Sequence, residues 1–171
     1  MILPHGKELI AFLPFSDLYE EFSEHERLQV FAKKGCVCVA CGRVGTLLAL
    51  GRETRDYKQS RKRGSVGRTH IDLYTDDFVL MTVDHIVPKY ICKQLGWTKA
   101  QMESLDNKQP MCDPCNGSKG HKLFTPEQEA SYRKQMSHNR TQIKKLKGSE
   151  ALQSLVPNIH TLLGDTHEIT V

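Results

Sequence analysis

An α+β fold is predicted for this chain, and three observations predict it. Two Cys-x-x-Cys pairs, Cys38/Cys41 and Cys112/Cys115, bracket the middle of the sequence. Between them lie strand-like segments: VGTLLAL, ending at Leu50, and Ile71 to Val87, the latter broken by the turn residues Thr75-Asp76-Asp77. Outside them the apolar spacing turns helical, through Leu18, Phe22, Leu28 and Phe31.

In chain order, residues 1 to 14 are weakly patterned and contain Pro4 and Pro14. Ser16 can cap a helix, because its hydroxyl accepts from a free backbone N–H. The apolar stripe continues to Lys34, and Gly35 stops it. The first cysteine turn and the strand to Leu50 follow. Arg52 to Arg68 has two glycines and no periodicity, so it reads as a loop or hairpin tip. Thr98 to Ser104 suits a short helix, and another begins at Cys115 and runs to about Lys122. Thr125-Pro126-Glu127-Gln128 is a helix start, with Thr as cap and Pro in the first turn. That helix is expected to reach Lys147 and end at Gly148. A last one starts at Ser149 and runs through Leu163, bent by Pro157.

With 171 residues the chain has room for one domain and an appendage. It has no run of 18 apolar residues, so no membrane-spanning helix is expected. The opening MILPHGKELIAFLPF is interrupted by Lys7 and Glu8 and lacks the layout of a signal peptide. A cytoplasmic protein is therefore expected. In a reducing compartment, paired Cys-x-x-Cys more often means metal than disulfide. The net charge of +4 is uneven. Arg52 to Arg68 holds seven Lys/Arg against Glu53 and Asp56, and Arg133 to Lys147 holds six with no acid. Such runs are either solvated faces or contacts for a polyanion, most simply nucleic acid.

Zinc favours four thiolates in a tetrahedron, and each Cys-x-x-Cys offers two from one tight turn. The 70 residues between the pairs (42 to 111) leave a second reading open, two unrelated turns with free thiols. Cys36 and Cys92 are left over, and burial suits both. Asp84 and His85 lie near the end of a strand-like segment, and Asn116 follows the second pair directly. Asp84 and Asn116 offer side-chain oxygens, which suit Mg²⁺ or Mn²⁺ and disfavour zinc. His85 can be neutral near working pH and accept a proton from water. Together they can hold and use a catalytic metal. Neighbours on a strand point to opposite faces, so Asp84 and His85 can share a site only where the strand ends, and Pro88 marks such an end.

The stretch from about Leu28 to Lys122 resembles the HNH endonucleases of the ββα-metal type, in the subgroup stapled by a four-cysteine zinc. The likeness is carried by RLQVFAKKGCVCVACG, LMTVDHIVPK and LDNKQPMCDPCNGSKGHK. The family's H, N and final H/N positions fall on His85, Asn107 and Asn116, the last two nine residues apart, which makes this the HNN variant. Lys108 stands where an apolar residue is usual, and the glycine pair that often follows the DHI-P motif is missing.

The resemblance implies a small zinc-stapled ββα-metal core at residues 28–124, an N-terminal extension and helix at 1–27, and a helical extension at 125–171. It implies a DNA endonuclease that nicks one strand, or cuts both as a homodimer, leaving 5′-phosphate and 3′-hydroxyl ends. The company such modules keep hints at a bacterial or phage-infected cell. Cys38, Cys41, Cys112 and Cys115 would hold structural Zn²⁺. Asp84 and Asn116 would hold catalytic Mg²⁺ or Mn²⁺, with His85 as the base and Asn107 fixing its direction by bonding backbone across the loop. Arg61, Lys62, Arg63, Arg68, Lys119 and Lys122 would contact DNA, and His70 and His121 are weaker candidates. The alternatives are a zinc-stabilised DNA-binding module without catalysis, and an RNA nuclease or toxin.

Overall fold

The computed structural model describes residues 1–57 and 65–123. Arg61, Lys62 and Arg63 lie outside the described residues, as do the helices expected from Thr125 and from Ser149 and the basic run between Arg133 and Lys147. The described chain is α+β, with short helices and two antiparallel sheets. It divides into two compact units: Met1–Thr82 with Pro110–Asp113, and Val83–Gln109 with the described residues from Pro114 onward.

The first unit is built on a three-stranded sheet of β1 (Lys7–Leu13), β2 (Gly45–Glu53) and β3 (Thr69–Thr75), in that order. The weak pattern of residues 1 to 14 conceals β1. A bulge between Leu9 and Ala11 breaks its alternation, and only Lys7 on it is fully buried. Lys7 pairs in register with Glu53 at the other end of β2. Leu3, Ala49 and Tyr74 form a buried core, with Leu9, Leu47, Phe78 and Leu80 packed against it.

The stripe that predicts one helix from Ser16 to Lys34 is split into α1 (Asp17–Glu20) and α2 (Glu26–Lys34). Glu20, Glu21, Glu24 and Glu26 crowd the break, and like charges four apart disfavour a continuous helix. Ser16 makes no side-chain cap bond. Gly35 does end α2, with φ of 94° that a side chain would resist. Arg27 reaches from α2 to the sheet, where its Nη2 donates to the Ile71 carbonyl at 2.5 Å and its Nη1 meets Asp72 Oδ1 at 2.6 Å. Lys7 Nζ meets Asp72 Oδ2 at 2.5 Å and lies 5.0 Å from the centre of the Tyr57 ring. Burial pushes the Asp72 carboxyl up, but Arg27 and Lys7 outweigh it and hold the group below the usual carboxylate range.

β4 (Met81–His85) and β5 (Lys108–Cys112) form a separate two-stranded sheet. β4 therefore does not extend the sheet of β3. The Thr75-Asp76-Asp77 turn delivers it elsewhere, with Phe78 at φ 61°. The second unit follows β4 with α3 (Lys89–Gln94) and α4 (Lys99–Met102), then α5 (Asp113–Lys119) after β5. Thr98 and Gln101 close a reciprocal capping box on α4. α5 starts two residues before Cys115, because Asp113 and Pro114 suit a first helical turn. Val87, Ile91 and Cys92 form the buried side of this unit, with Asn107 buried beside them.

Candidate metal centre and polar cluster

Cys38 and Cys41 sit in a tight turn closed by two backbone bonds, Gly42 N–H to the Cys38 carbonyl at 2.9 Å and Cys38 N–H to the Arg43 carbonyl at 2.8 Å. Gly42 takes φ 82°, which lets the chain reverse there. Cys112 ends β5 and Cys115 lies in the first turn of α5. The Val39 N–H donates to the Pro110 carbonyl at 3.1 Å, fastening the turn to β5. The four sulfurs all lie within 4.8 Å of one another.

These distances suit a metal. Tetrahedral zinc with bonds of about 2.3 Å sets its sulfurs roughly 3.8 Å apart. Cys41 and Cys112 are 3.7 Å apart, far beyond a disulfide bond. All four cysteines are free thiols. Arg43 Nη1 stands 3.3 Å from Cys41 Sγ and 3.6 Å from Cys112 Sγ. Burial pushes the Cys41 thiol up, but the Arg43 backbone and hydrogen bonds from Cys38, the Arg43 guanidinium and Cys112 bring it down to about 6. A thiolate is the form that binds metal. The cluster can thus hold a metal ion such as zinc. Cys92 is different: burial pushes it up to about 12, and it donates to the Val87 carbonyl. Burial also raises Cys36, whose thiol donates to the Phe31 carbonyl.

The side chains of Asp84 and His85 take separate partners, and β4 ends at His85. Asp84 is 5 % exposed. Its Oδ2 accepts from Lys119 Nζ at 2.5 Å and from Gln109 Nε2 at 2.9 Å. His85 is half-buried, and its Nε2 is 3.3 Å from Glu103 Oε2. Glu103 also meets Lys89 Nζ at 2.8 Å and Lys108 Nζ at 3.4 Å.

Lys119 is 1 % exposed. Besides Asp84 its ammonium bonds the His85 carbonyl at 2.8 Å and the Ile86 carbonyl at 3.1 Å. Burial pulls its pKa down. The sequence reading of Lys119 as a DNA contact does not suit this placement, because its three donors are turned inward. Asn116 stands three residues earlier on α5, hence on the helix face that Lys119 presents to Asp84 and the end of β4.

Asn107 is wholly buried. Its Oδ1 accepts from the Val87 N–H at 2.9 Å, and its Nδ2 donates to the Val87 and Met102 carbonyls at 3.1 Å each. Its own carbonyl accepts from the Ile86 N–H at 2.8 Å. The side chain therefore locks the backbone just after His85 to the end of α4.

Arg68, Lys122 and His121 are exposed. The His121 ring lies 6.1 Å from the Tyr90 ring and tilted to it, and His70 is held at 2.6 Å by Glu53. Glu103, Gln109 and Arg43 were not singled out by the sequence. Glu103 and Gln109 meet His85 and Asp84 from 18 and 25 residues away, and Arg43 joins its neighbour Cys41 to the distant Cys112, so no local pattern announces them. No described helix is long and apolar enough to cross a membrane.

No family model, no curated protein and no solved structure matches this chain.

Proposed function

We propose that the chain is a metal-dependent DNA endonuclease of the HNH type, stapled by zinc at Cys38, Cys41, Cys112 and Cys115. The observation that carries this reading is the docking of α5 on the end of β4. Lys119 binds both the Asp84 carboxylate and the backbone of His85, and Asn116 shares its helix face. An acid, an imidazole and a carboxamide are thus supplied by adjoining elements.

In this reading Asp84 and Asn116 hold a hard divalent cation, Mg²⁺ or Mn²⁺. Asp84 would offer Oδ1, since its other oxygen is engaged. Bound there, such a cation would supply positive charge beside the phosphate and the leaving 3′ oxygen. His85 takes the proton of the attacking water, and Asn107 fixes the backbone that carries the ring. Attack of that water on phosphorus, with the bond to the 3′ oxygen breaking and that oxygen taking a proton, would leave 5′-phosphate and 3′-hydroxyl ends. The exposed Arg68 and Lys122, with the basic stretch around Arg61, Lys62 and Arg63, would bind the DNA backbone without reading sequence. One chain would nick, and a homodimer would cut both strands. A cytoplasmic setting, in a bacterial or phage-infected cell, accords with this reading.

The test is nicking of supercoiled plasmid with Mg²⁺, Mn²⁺ or EDTA. Metal-dependent nicking is expected, with His85→Ala reducing it about 10²- to 10⁴-fold while leaving DNA and zinc binding intact. Equal rates in wild type and His85→Ala would remove His85 from the mechanism.

A second reading has one observation in its favour. The Asp84 carboxylate is already neutralised by the buried Lys119, as in a purely structural ion pair. A zinc-stabilised DNA-binding module without catalysis would look like this, and it would bind plasmid without nicking it under any metal. Parallel digestion of RNA and DNA separates an RNA nuclease or toxin from both.

A further inference from the structure

We propose that Glu103 is a positioning residue for His85: its carboxylate grips the ring at Nε2 and leaves Nδ1 as the nitrogen that meets water. The proposal rests on the nuclease reading of His85, but the grip itself is tested separately below.

The geometry of Glu103 is set from three directions. It closes α4, where its backbone N–H returns to the Lys99 carbonyl at 3.0 Å. The start of that short helix is fixed by the Thr98–Gln101 capping box. Its preceding residue, Met102, is tied through its carbonyl to the buried Asn107 amide, which also holds Val87. One carboxamide therefore spaces the backbone at 87, two residues past His85, from the backbone at 102, one residue before Glu103. The side chains of 85 and 103 meet because of that spacing, at 3.3 Å.

The chemistry of the contact decides which ring nitrogen is which. An ionised carboxylate only accepts hydrogen bonds. Lys89 and Lys108 stand on the same carboxylate as His85, so Glu103 stays ionised without a proton from the ring. The hydrogen bonds from Lys89 are the largest influence, and the group is held down to about 2. Nε2 must then carry the hydrogen in the contact. In the neutral ring the lone pair sits on Nδ1, and that is the atom able to take a proton from water. The two lysines have a further effect. They balance the carboxylate, so the grip orients the ring without surrounding it with uncompensated negative charge. An ordinary surface ion cluster would need none of this agreement between Asn107, the capping box and the ring.

The test uses the full zinc-loaded chain with ¹⁵N-labelled histidine, comparing wild type, Glu103→Leu and Glu103→Gln. In wild type, His85 is expected to be the Nε2–H form, with that proton visible as a slowly exchanging, hydrogen-bonded resonance. Glu103→Leu should lose the protected resonance. Its kcat for plasmid nicking should fall about 10- to 100-fold with KM for DNA unchanged. Glu103→Gln keeps an accepting oxygen and should retain the resonance and much of the rate, which guards against loss of fold in the leucine variant. An Nδ1–H form in wild type overturns the proposal. So does an equally protected Nε2–H in Glu103→Leu, or nicking by that variant at the wild-type rate. If wild type fails to nick at all, the nuclease reading falls. The resonance, read without DNA, still decides whether Glu103 holds the ring.

Discussion

Replacing Lys119 with methionine separates an internal clamp from a DNA contact. The lysine side chain is 1 % exposed and Asp84 beside it is 6 % exposed. Its ammonium binds one carboxylate and two carbonyls. Methionine fills a similar volume but removes the charge and all three donors. Asp84 then keeps Gln109 as its hydrogen-bond donor, while remaining nearly as buried. Breaking one side of a buried pair costs about 3 to 5 kcal/mol, because the remaining charge is left without compensation. A chain of this size loses roughly 2 to 4 °C of melting temperature per kcal/mol, so a fall of about 6 to 20 °C is expected. Thermal melts followed by circular dichroism, with zinc held constant, provide the assay. A lysine that merely touched phosphate would change stability by less than about 0.5 kcal/mol and weaken DNA binding instead. An unchanged melt with weakened, less salt-sensitive DNA binding would refute the clamp. The double variant Lys119→Met with Asp84→Asn should recover part of the lost stability, since no buried charge then remains.

Chelation with a strong zinc ligand should unfold the segment between the cysteine pairs, because a structural zinc contributes roughly 10 kcal/mol or more of coupled folding energy. Elemental analysis with melting before and after checks this, and a cooperative melt from metal-free protein would count against it. Arg43→Ala should speed zinc transfer to a chromogenic chelator about 10- to 100-fold, since its guanidinium offsets the charge of Cys41 and Cys112. Asp72 has a folded pKa below its unfolded value of about 3.9, so the stability it contributes is whole above about pH 4. That stability is lost as pH falls through the folded value. Asp72→Asn should therefore be less stable at neutral pH and show a shallower loss in acid, read from denaturant midpoints across pH 2 to about 7.

The sequence declares what is local. Each Cys-x-x-Cys announces a turn that offers two sulfurs, and the structure brings both turns together. The short helix expected over Thr98 to Ser104 is α4, and Gly35 announces the end of α2, because each signal acts within one turn of the chain. What was missed depends on partners far away. β1 is hidden because a bulge breaks its alternation and its one fully buried side chain is a lysine, Lys7, paired with Asp72 on β3. α1 and α2 separate because repulsion among neighbouring glutamates outweighs the apolar stripe. Lys119 reads as a surface cation by composition, since a lysine is rarely buried unless paired. Its pairing partner lies 35 residues earlier, and only the fold brings Asp84 to it.

The buried charges also explain how so short a β4 can be held in one register. A two-stranded sheet specifies register weakly, and a slip of one residue would exchange the two faces of the strand. In β4 such a slip would put Val83 or His85 where Lys119 and Gln109 now meet Asp84. A valine there would leave an ammonium buried without its counter-charge, and that cost runs to several kcal/mol. The Asp84–Lys119 pair contributes little net stability against a well-packed apolar alternative. Its effect is to make every other register worse. The sulfur cluster fixes the other end in the same way, since Cys112 reaches Cys41 only when β5 is correctly placed. Charge at one end and thiolate at the other thus select a single alignment for the strand pair that carries both Asp84 and His85.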